Sequence, residues 1–460
     1  MSNKVNKSMI NDLTEGNVTK QLFVFAAPLF LSNALQAVYN IVDMVIVGQV
    51  MGAKGMSAVA VGGNVLMLMN FIAMGFSGAG QIIIAQNVGA KNMKAVKRTI
   101  GTLMSLLLGA AVIMSILCFL FREQLLNLIN APAESFDFTM DYTLICASGL
   151  VFIYGYNVVS AIMRGMGDSK RPFMFVAIAS VINIILDVLF VVVMGIGVRG
   201  AALATVLGQA ISFGWAIVYL YRRKESFAFD FKLSSFRIDG KSAKAIVKLG
   251  IPMSIQSAAI TISMTVVAAW VNSFGVVASA IAGMISKLNM MAGILSASIS
   301  TAGGSMIGQN LGARKFDRVP QILKNAFFIS LAVSAVIAAI IYLFPDQIFA
   351  MFTHDEIVLA SAAIIIGPVM LNCLGAATRS FGFAMINGSG NSRLNLLIAI
   401  LDGIIGRISF AYILGFMFAM GPQGFWYGDA LAGFIPMLIG GVYFLSGKWR
   451  KDGEMVESKN

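Results

Sequence analysis

Long apolar runs separated by short polar loops make up most of the chain. Runs of about 20 residues or more, each enough to cross ~30 Å of hydrocarbon, occupy 22–48, 57–86, 99–121, 138–163, 173–195 and 200–221. A second set follows at 247–273, 278–308, 320–344, 357–386, 394–419 and 424–446. The polar stretch 222–246 is the longest break between them. This pattern predicts an all-α integral membrane protein with twelve transmembrane helices. A six-helix bundle is expected over 1–221, a linker loop over 222–246, a second bundle over 247–446 and a tail over 447–460.

Composition agrees. Of 460 residues, 58% are hydrophobic and 12% charged, against about 45–50% and 25% in soluble domains. A net charge of +12 would suit nucleic acid if it were gathered on one domain. Instead the basic residues lie in alternate loops: Lys91, Lys94, Lys97 and Arg98; Arg164, Lys170 and Arg171; the 222–248 stretch; Arg314, Lys315 and Arg318; and Lys448, Arg450 and Lys451. The intervening loops carry acids such as Glu134, Asp137, Asp346 and Glu356. This is the charge bias that orients membrane proteins, and it predicts cytoplasmic termini and no nucleic-acid partner. The first twenty residues, with Lys4 and Lys7, are polar and lack the pattern of a removable signal. Cys118, Cys146 and Cys373 fall inside apolar runs without metal-ligand spacing and read as small buried side chains.

The chain repeats itself. Gln86-Asn-Val-Gly-Ala-Lys91 returns as Gln309-Asn-Leu-Gly-Ala-Arg314, Leu120-Phe-Arg-Glu-Gln124 as Leu343-Phe-Pro-Asp-Gln347, and Gly167-Asp-Ser-Lys170 as Gly390-Asn-Ser-Arg393. The offset is the same each time (309 − 86, 343 − 120 and 390 − 167 are all 223). Six spans is an even number, so both halves enter from the same side and form parallel repeats, with a substrate path expected between them.

These features resemble the multidrug and toxic compound extrusion (MATE) transporters over about residues 18 to 446. The resemblance rests on Ala27-Pro28, Gln36, Asn40-Ile-Val-Asp43 and Gly48, on the Gln86-Asn-Val-Gly-Ala loop, and on Arg164-Gly-Met-Gly-Asp168 with their second-half matches. It implies two bundles in a V around a central cavity. It further implies export of organic, often cationic, compounds driven by inward Na⁺ or H⁺. A bacterial inner membrane is the setting expected from that likeness, with a single chain acting as a monomer among membrane lipids.

Ionisable groups inside a membrane are costly and so point to function. Asp43, Asp187, Thr205 and Tyr142 fall in one layer, roughly 8–12 Å from the outer face at a helical rise of ~1.5 Å per residue. Asn183 is four residues before Asp187, on the same helix face. Two carboxylates, an amide and a hydroxyl are hard oxygen ligands suited to a bare cation such as Na⁺. The same pair could instead share a proton, because burial and mutual repulsion oppose two charged carboxylates at once. The resemblance implies a cation site at these positions, Asp43, Asn183, Asp187 and Thr205, with Tyr142 as a hydrogen-bond neighbour. Acids that merely brace helices against Arg or Lys are the plainer alternative.

The second half differs. Val266 or Val267 matches Asp43, and Phe410 matches Asp187. Lys287, Arg379, Asp402, Arg407 and Asp429 are charged within its spans. Asp402 and Arg407, five apart, stand about 140° around a regular helix and should not face each other. Lys287, Arg379, Asp402 and Arg407 are candidates for a polar wall contacting substrate, together with Gln36 and Asn157, which match cavity-lining positions of the resembling family. His354, beside Asp355 and Glu356, reads as a solvated loop residue. No phosphate-cradling loop, zinc motif or dinucleotide fingerprint is present, so no cofactor beyond a coupling ion and no enzymatic activity are expected. A lipid-linked oligosaccharide flippase is the alternative within the same superfamily, and a channel an alternative outside it.

Overall fold

The computed structural model describes residues 10–227, 229–350 and 362–450. Lys4, Lys7, His354, Asp355, Glu356, the first residues of the tenth apolar run and Lys451 lie outside the described residues. Among the described residues every regular element is helical. Ten helices are long and apolar enough to cross a membrane, or eleven when the bent pair Ala133–Ser148 and Leu150–Gly165 counts as one span.

The longest helix, Val18–Gly89, has 72 residues. At ~1.5 Å per residue that is over three times the ~30 Å of a hydrocarbon core. Gly52 breaks it, with φ 65° and ψ −155°. This conformation is open essentially to glycine alone. A Cβ at Gly52 would meet nothing within 4 Å, so the glycine serves backbone shape and not space. A count of twelve crossings requires each part of this helix to span.

The backbone repeats as the sequence does. Positive-φ residues pair as Gly52 and Gly275, Lys91 and Arg314, and Gly167 and Gly390, each 223 apart (275 − 52, 314 − 91, 390 − 167). Further along, Gly195 pairs with Ala419 and Gly197 with Gly421, now 224 apart (419 − 195, 421 − 197). One extra residue has therefore entered the second half between Gly390 and Ala419. In that interval Leu401–Gly406 forms a π-helical turn, whereas the matching stretch of the first half lies in the regular α-helix Lys170–Asp187. A π turn is how a helix absorbs an inserted residue without ending. A second π segment, Val188–Val193, does have its counterpart in Ile413–Met417.

The chain forms two compact units. Of the described residues, those within 1–12 and 31–251 form the first and those within 13–30 and 252–460 the second. Residues 13–30, which hydropathy groups with the first six spans, pack within the second unit. Leu22, Phe25 and Leu29 share a buried cluster with Ile299, Met306 and Ile322. Polar anchors fix the segment before them. Gln309 Oε1 accepts from the Leu13 N–H at 3.0 Å, and Asn310 Nδ2 donates to the Leu13 carbonyl at 3.1 Å. The repeated Gln-Asn motif thus has a structural use in this half.

The 222–246 stretch packs on the first unit. Lys97 Nζ donates to Asp230 Oδ2 at 2.7 Å and Ser235 Oγ donates to Asp230 Oδ1 at 2.6 Å. Phe229 and Phe236 pack edge to face at 5.3 Å. Gly101 lies against this stretch: a Cβ there would sit 1.9 Å from the Ser235 carbonyl oxygen. Elsewhere the exposed surface is apolar, with Ile113, Val181, Ile185, Val193, Leu438 and Val442 all more than half exposed. Such surface has no place in water but matches lipid hydrocarbon.

Candidate functional site: two buried polar clusters

In the first unit the structure brings together all five residues expected at a cation site. Asp43 is carried by Val18–Gly89, and Asn183 and Asp187 by the last turns of Lys170–Asp187. Thr205 is on Val198–Arg222 and Tyr142 on Phe136–Ser148. Asp43, Asn183 and Tyr142 are buried, and Asp187 is 0% exposed. With its amide turned to satisfy both neighbours, Asn183 donates to Asp43 Oδ1 at 2.9 Å and accepts from the Thr205 N–H at 3.3 Å. Gly208 lets the helices approach: a Cβ there would lie 3.3 Å from the Asn183 Cβ.

Asp43 has Asp187 and Thr205 as immediate neighbours, and Tyr142 lies next to Thr205. Yet neither Asp187 oxygen, nor Thr205 Oγ1, has a hydrogen-bond donor or acceptor of regular geometry. A contact between two carboxylates contains no donor until a proton or cation is added. Among the described residues no ion pair reaches Asp43 or Asp187. That removes the Arg or Lys brace as an account of these acids. The donor set, two carboxylates with a hydroxyl and an amide, fits an alkali cation or a shared proton. Among the described residues no group of three or more His, Cys, Asp or Glu is gathered as a transition metal would require.

Hydropathy and depth did not single out two further residues here. Tyr39 and Gln209 line a small cavity with Asn183, Thr205 and Gly208, of about 10 Å³, room for roughly one water-sized body. Tyr39 is four residues before Asp43 and Gln209 four after Thr205, so one helical turn was the signal that could have found them.

The second unit holds a different cluster. Arg407 Nη2 donates to Asp402 Oδ1 at 3.2 Å, and Arg407 Nη1 donates to Asp429 Oδ1. Asp402 is 0% and Arg407 2% exposed. The expectation that Asp402 and Arg407 point apart is therefore corrected. It assumed 3.6 residues per turn, whereas Leu401–Gly406 is a π turn whose i→i+5 bonding stacks residues five apart. Gly428 packs against the backbone of Ala411, which brings Asp429 to the guanidinium. Arg379 adds its charge to this group. With the extra residue counted, the match to Asp187 is Ala411 and not Phe410.

The other candidates are dispersed. Gln36 and Asn157 are half-buried in the first unit, and Asn157 Nδ2 is taken by the Ile153 carbonyl at 2.9 Å. Lys287 is exposed on Val276–Gly312 and joins no cluster. The three cysteines are free and buried.

Duplicated apolar helices around buried, partly unsatisfied polar groups define a polytopic membrane transporter fold. The MatE family pattern matches residues 28–189 and again 252–413, and the chain belongs to this family, the MATE transporters. The chain is 31% identical over 312 residues to the probable multidrug resistance protein YpnP of Bacillus subtilis, covering 67% of this chain and 68% of that one. It is 25% identical over 453 residues to the probable multidrug resistance protein NorM of Thermotoga maritima, covering 96% and 95%. In fold it is similar to a MOP superfamily transporter from Pyrococcus furiosus, with TM-score 0.88, 22% identity and coverage of 98% and 99%.

Proposed function

We propose that this protein is a secondary antiporter that exports organic, often cationic, compounds in exchange for Na⁺ or H⁺ bound at Asp43 and Asp187. One observation carries the reading: Asp187 is fully buried beside a second carboxylate, with both its oxygens unpaired. Uncompensated charge in such a place is strongly unfavourable, so the pair requires a proton or a cation in each membrane-embedded state. Asn183 holds Asp43 in place, while Thr205 and Tyr142 offer hydroxyl groups to the bound ion. Binding the ion favours one access state and binding the organic compound the other, and exchange follows from that opposition. The names of the relatives, multidrug resistance proteins, support the substrate class. The loop charges support cytoplasmic termini, and the family likeness supports a bacterial inner membrane.

The experiment is efflux of a fluorescent cationic dye from proteoliposomes under separate Na⁺ and H⁺ gradients, for wild type and Asp187→Asn. The proposal expects movement driven by one gradient and lost in the variant. Movement in folded protein under neither gradient would turn the reading toward lipid-linked substrates. That alternative needs free basic groups: Arg407 is held by two carboxylates, whereas Arg379 Nε and Nη2 are buried without a hydrogen-bond partner.

A further inference from the structure

The two polar clusters are versions of one site. Once the π insertion at Leu401–Gly406 is counted, the second half runs 224 residues behind the first, the same offset as at the C-terminal end of the family match (413 − 189). Arg407 then stands where the first half has Asn183, and Asp429 where it has Thr205 (407 − 183, 429 − 205). In the first half these positions bond to each other and to Asp43. In the second they bond as guanidinium to carboxylate, and Asp402, brought onto the same face by the π turn, supplies the second acid.

The ligand chemistry is thus alike in kind, two carboxylates on neighbouring helices (Asp402 buried, Asp429 part-buried), but the charge between them differs. We infer that the Arg407 guanidinium is a tethered cation filling, in the second unit, the place that a mobile cation takes in the first. Three observations support this. Arg407 donates to both carboxylates. One oxygen of Asp402 stays buried and unpaired, as both oxygens of Asp187 do. No other described cation pairs with either acid, although Arg379 lies near them. The second unit therefore carries a latent cation site, closed by its own side chain, and the coupling ion moves through the first unit alone. Removing the guanidinium while keeping both acids opens the site to Na⁺ or to a proton.

This inference rests on reading Asp43 and Asp187 as the cation site, and the test separates the two. Thermal unfolding of purified full-length protein is followed against Na⁺ at fixed pH, and against pH at fixed K⁺. Wild type against Asp43→Asn/Asp187→Asn reads the first site: equal cation responses there would sink the first-site reading and leave the second unit still to be judged. In the Asp43→Asn/Asp187→Asn background, Arg407→Gln is then compared with Arg407→Lys and with unchanged Arg407. The expected result is that the Gln variant is stabilised by several degrees on adding Na⁺ or on lowering pH, beyond any change in the other two. Should the Gln variant fail to fold, Asp402→Asn/Arg407→Gln leaves a single acid and is expected to show a weaker response of the same sign. A cation response in the background with Arg407 intact that disappears in Asp429→Asn would overturn the inference. So would an identical response of the Gln, Lys and Arg proteins.

Discussion

Asp402 and Arg407, five residues apart, are hydrogen-bonded at 3.2 Å because the helix between them makes a π turn. That turn is where the second half accommodates one residue more than the first. The π turn brings Asp402 to Arg407, which stands where the first half has the neutral amide of Asn183, so the guanidinium lies between two acids. The first unit kept the unbalanced carboxylates, and the second balanced its own.

Thr205 offers a way to separate function from stability. Its hydroxyl is buried without a hydrogen-bond partner, so Thr205→Val, nearly equal in volume, is expected to change stability by less than about 1 kcal/mol. If the hydroxyl ligates the ion, its loss weakens cation affinity about tenfold, near 1.4 kcal/mol. Unfolding midpoints and the cation concentration for half-maximal dye transport are the two readouts. Loss of stability with unchanged cation dependence would make Thr205 a packing residue.

Gly52 tests the backbone break. Gly52→Ala forces a Cβ into a conformation open essentially to glycine, and is expected to cost about 1–3 kcal/mol although the site has free space. Gly63, in ordinary helix with similarly open surroundings, is the control: Gly63→Ala is expected to be neutral or to stabilise by roughly 0.5–1 kcal/mol. Unfolding of both variants in detergent measures the contrast, and equal effects would refute the role given to the Gly52 conformation.

The 222–246 stretch should respond to acid. Lys97 beside Asp230, aided by Ser235, holds that carboxyl below the usual carboxylate range. A carboxyl lowered in the folded state stabilises above its unfolded value and loses that contribution as pH falls through the folded value. Hydrogen exchange at Ser235 and Asp239 is therefore expected to stay protected through neutral and mildly acidic pH and to rise only in strong acid. In Asp230→Asn it should be raised already at neutral pH. Gly101→Ala, which drives a Cβ into the Ser235 carbonyl, should raise it at every pH. The pair is exposed, so global stability is expected to change little.

Much of this was legible in the chain. Apolar runs place the helices because backbone in hydrocarbon must satisfy its own hydrogen bonds. Depth along each run brings Asp43, Asn183, Asp187, Thr205 and Tyr142 to one place because helical rise is constant. What escaped has physical reasons as well. Residues 13–30 pack with the second unit through contacts nearly 300 residues distant, such as Leu13 with Gln309, which no local pattern announces. Asp402 and Arg407 looked misaligned because a π turn leaves hydropathy unchanged. Only the shift from a 223- to a 224-residue spacing marks it, and that shift is plainest in backbone angles. The 222–246 stretch reads as a polar break, while its phenylalanines bury against the first unit.

Cation release on substrate binding tests the central claim most directly. An organic cation is added to purified protein in weakly buffered detergent solution, with proton release followed by a pH dye and Na⁺ release by loss of bound ²²Na⁺. The account predicts that one of the two ions leaves wild type as substrate binds, and that Asp43→Asn/Asp187→Asn releases neither. Substrate binding to wild type without release of either ion, or release undiminished in the double variant, would contradict exchange at this carboxyl pair.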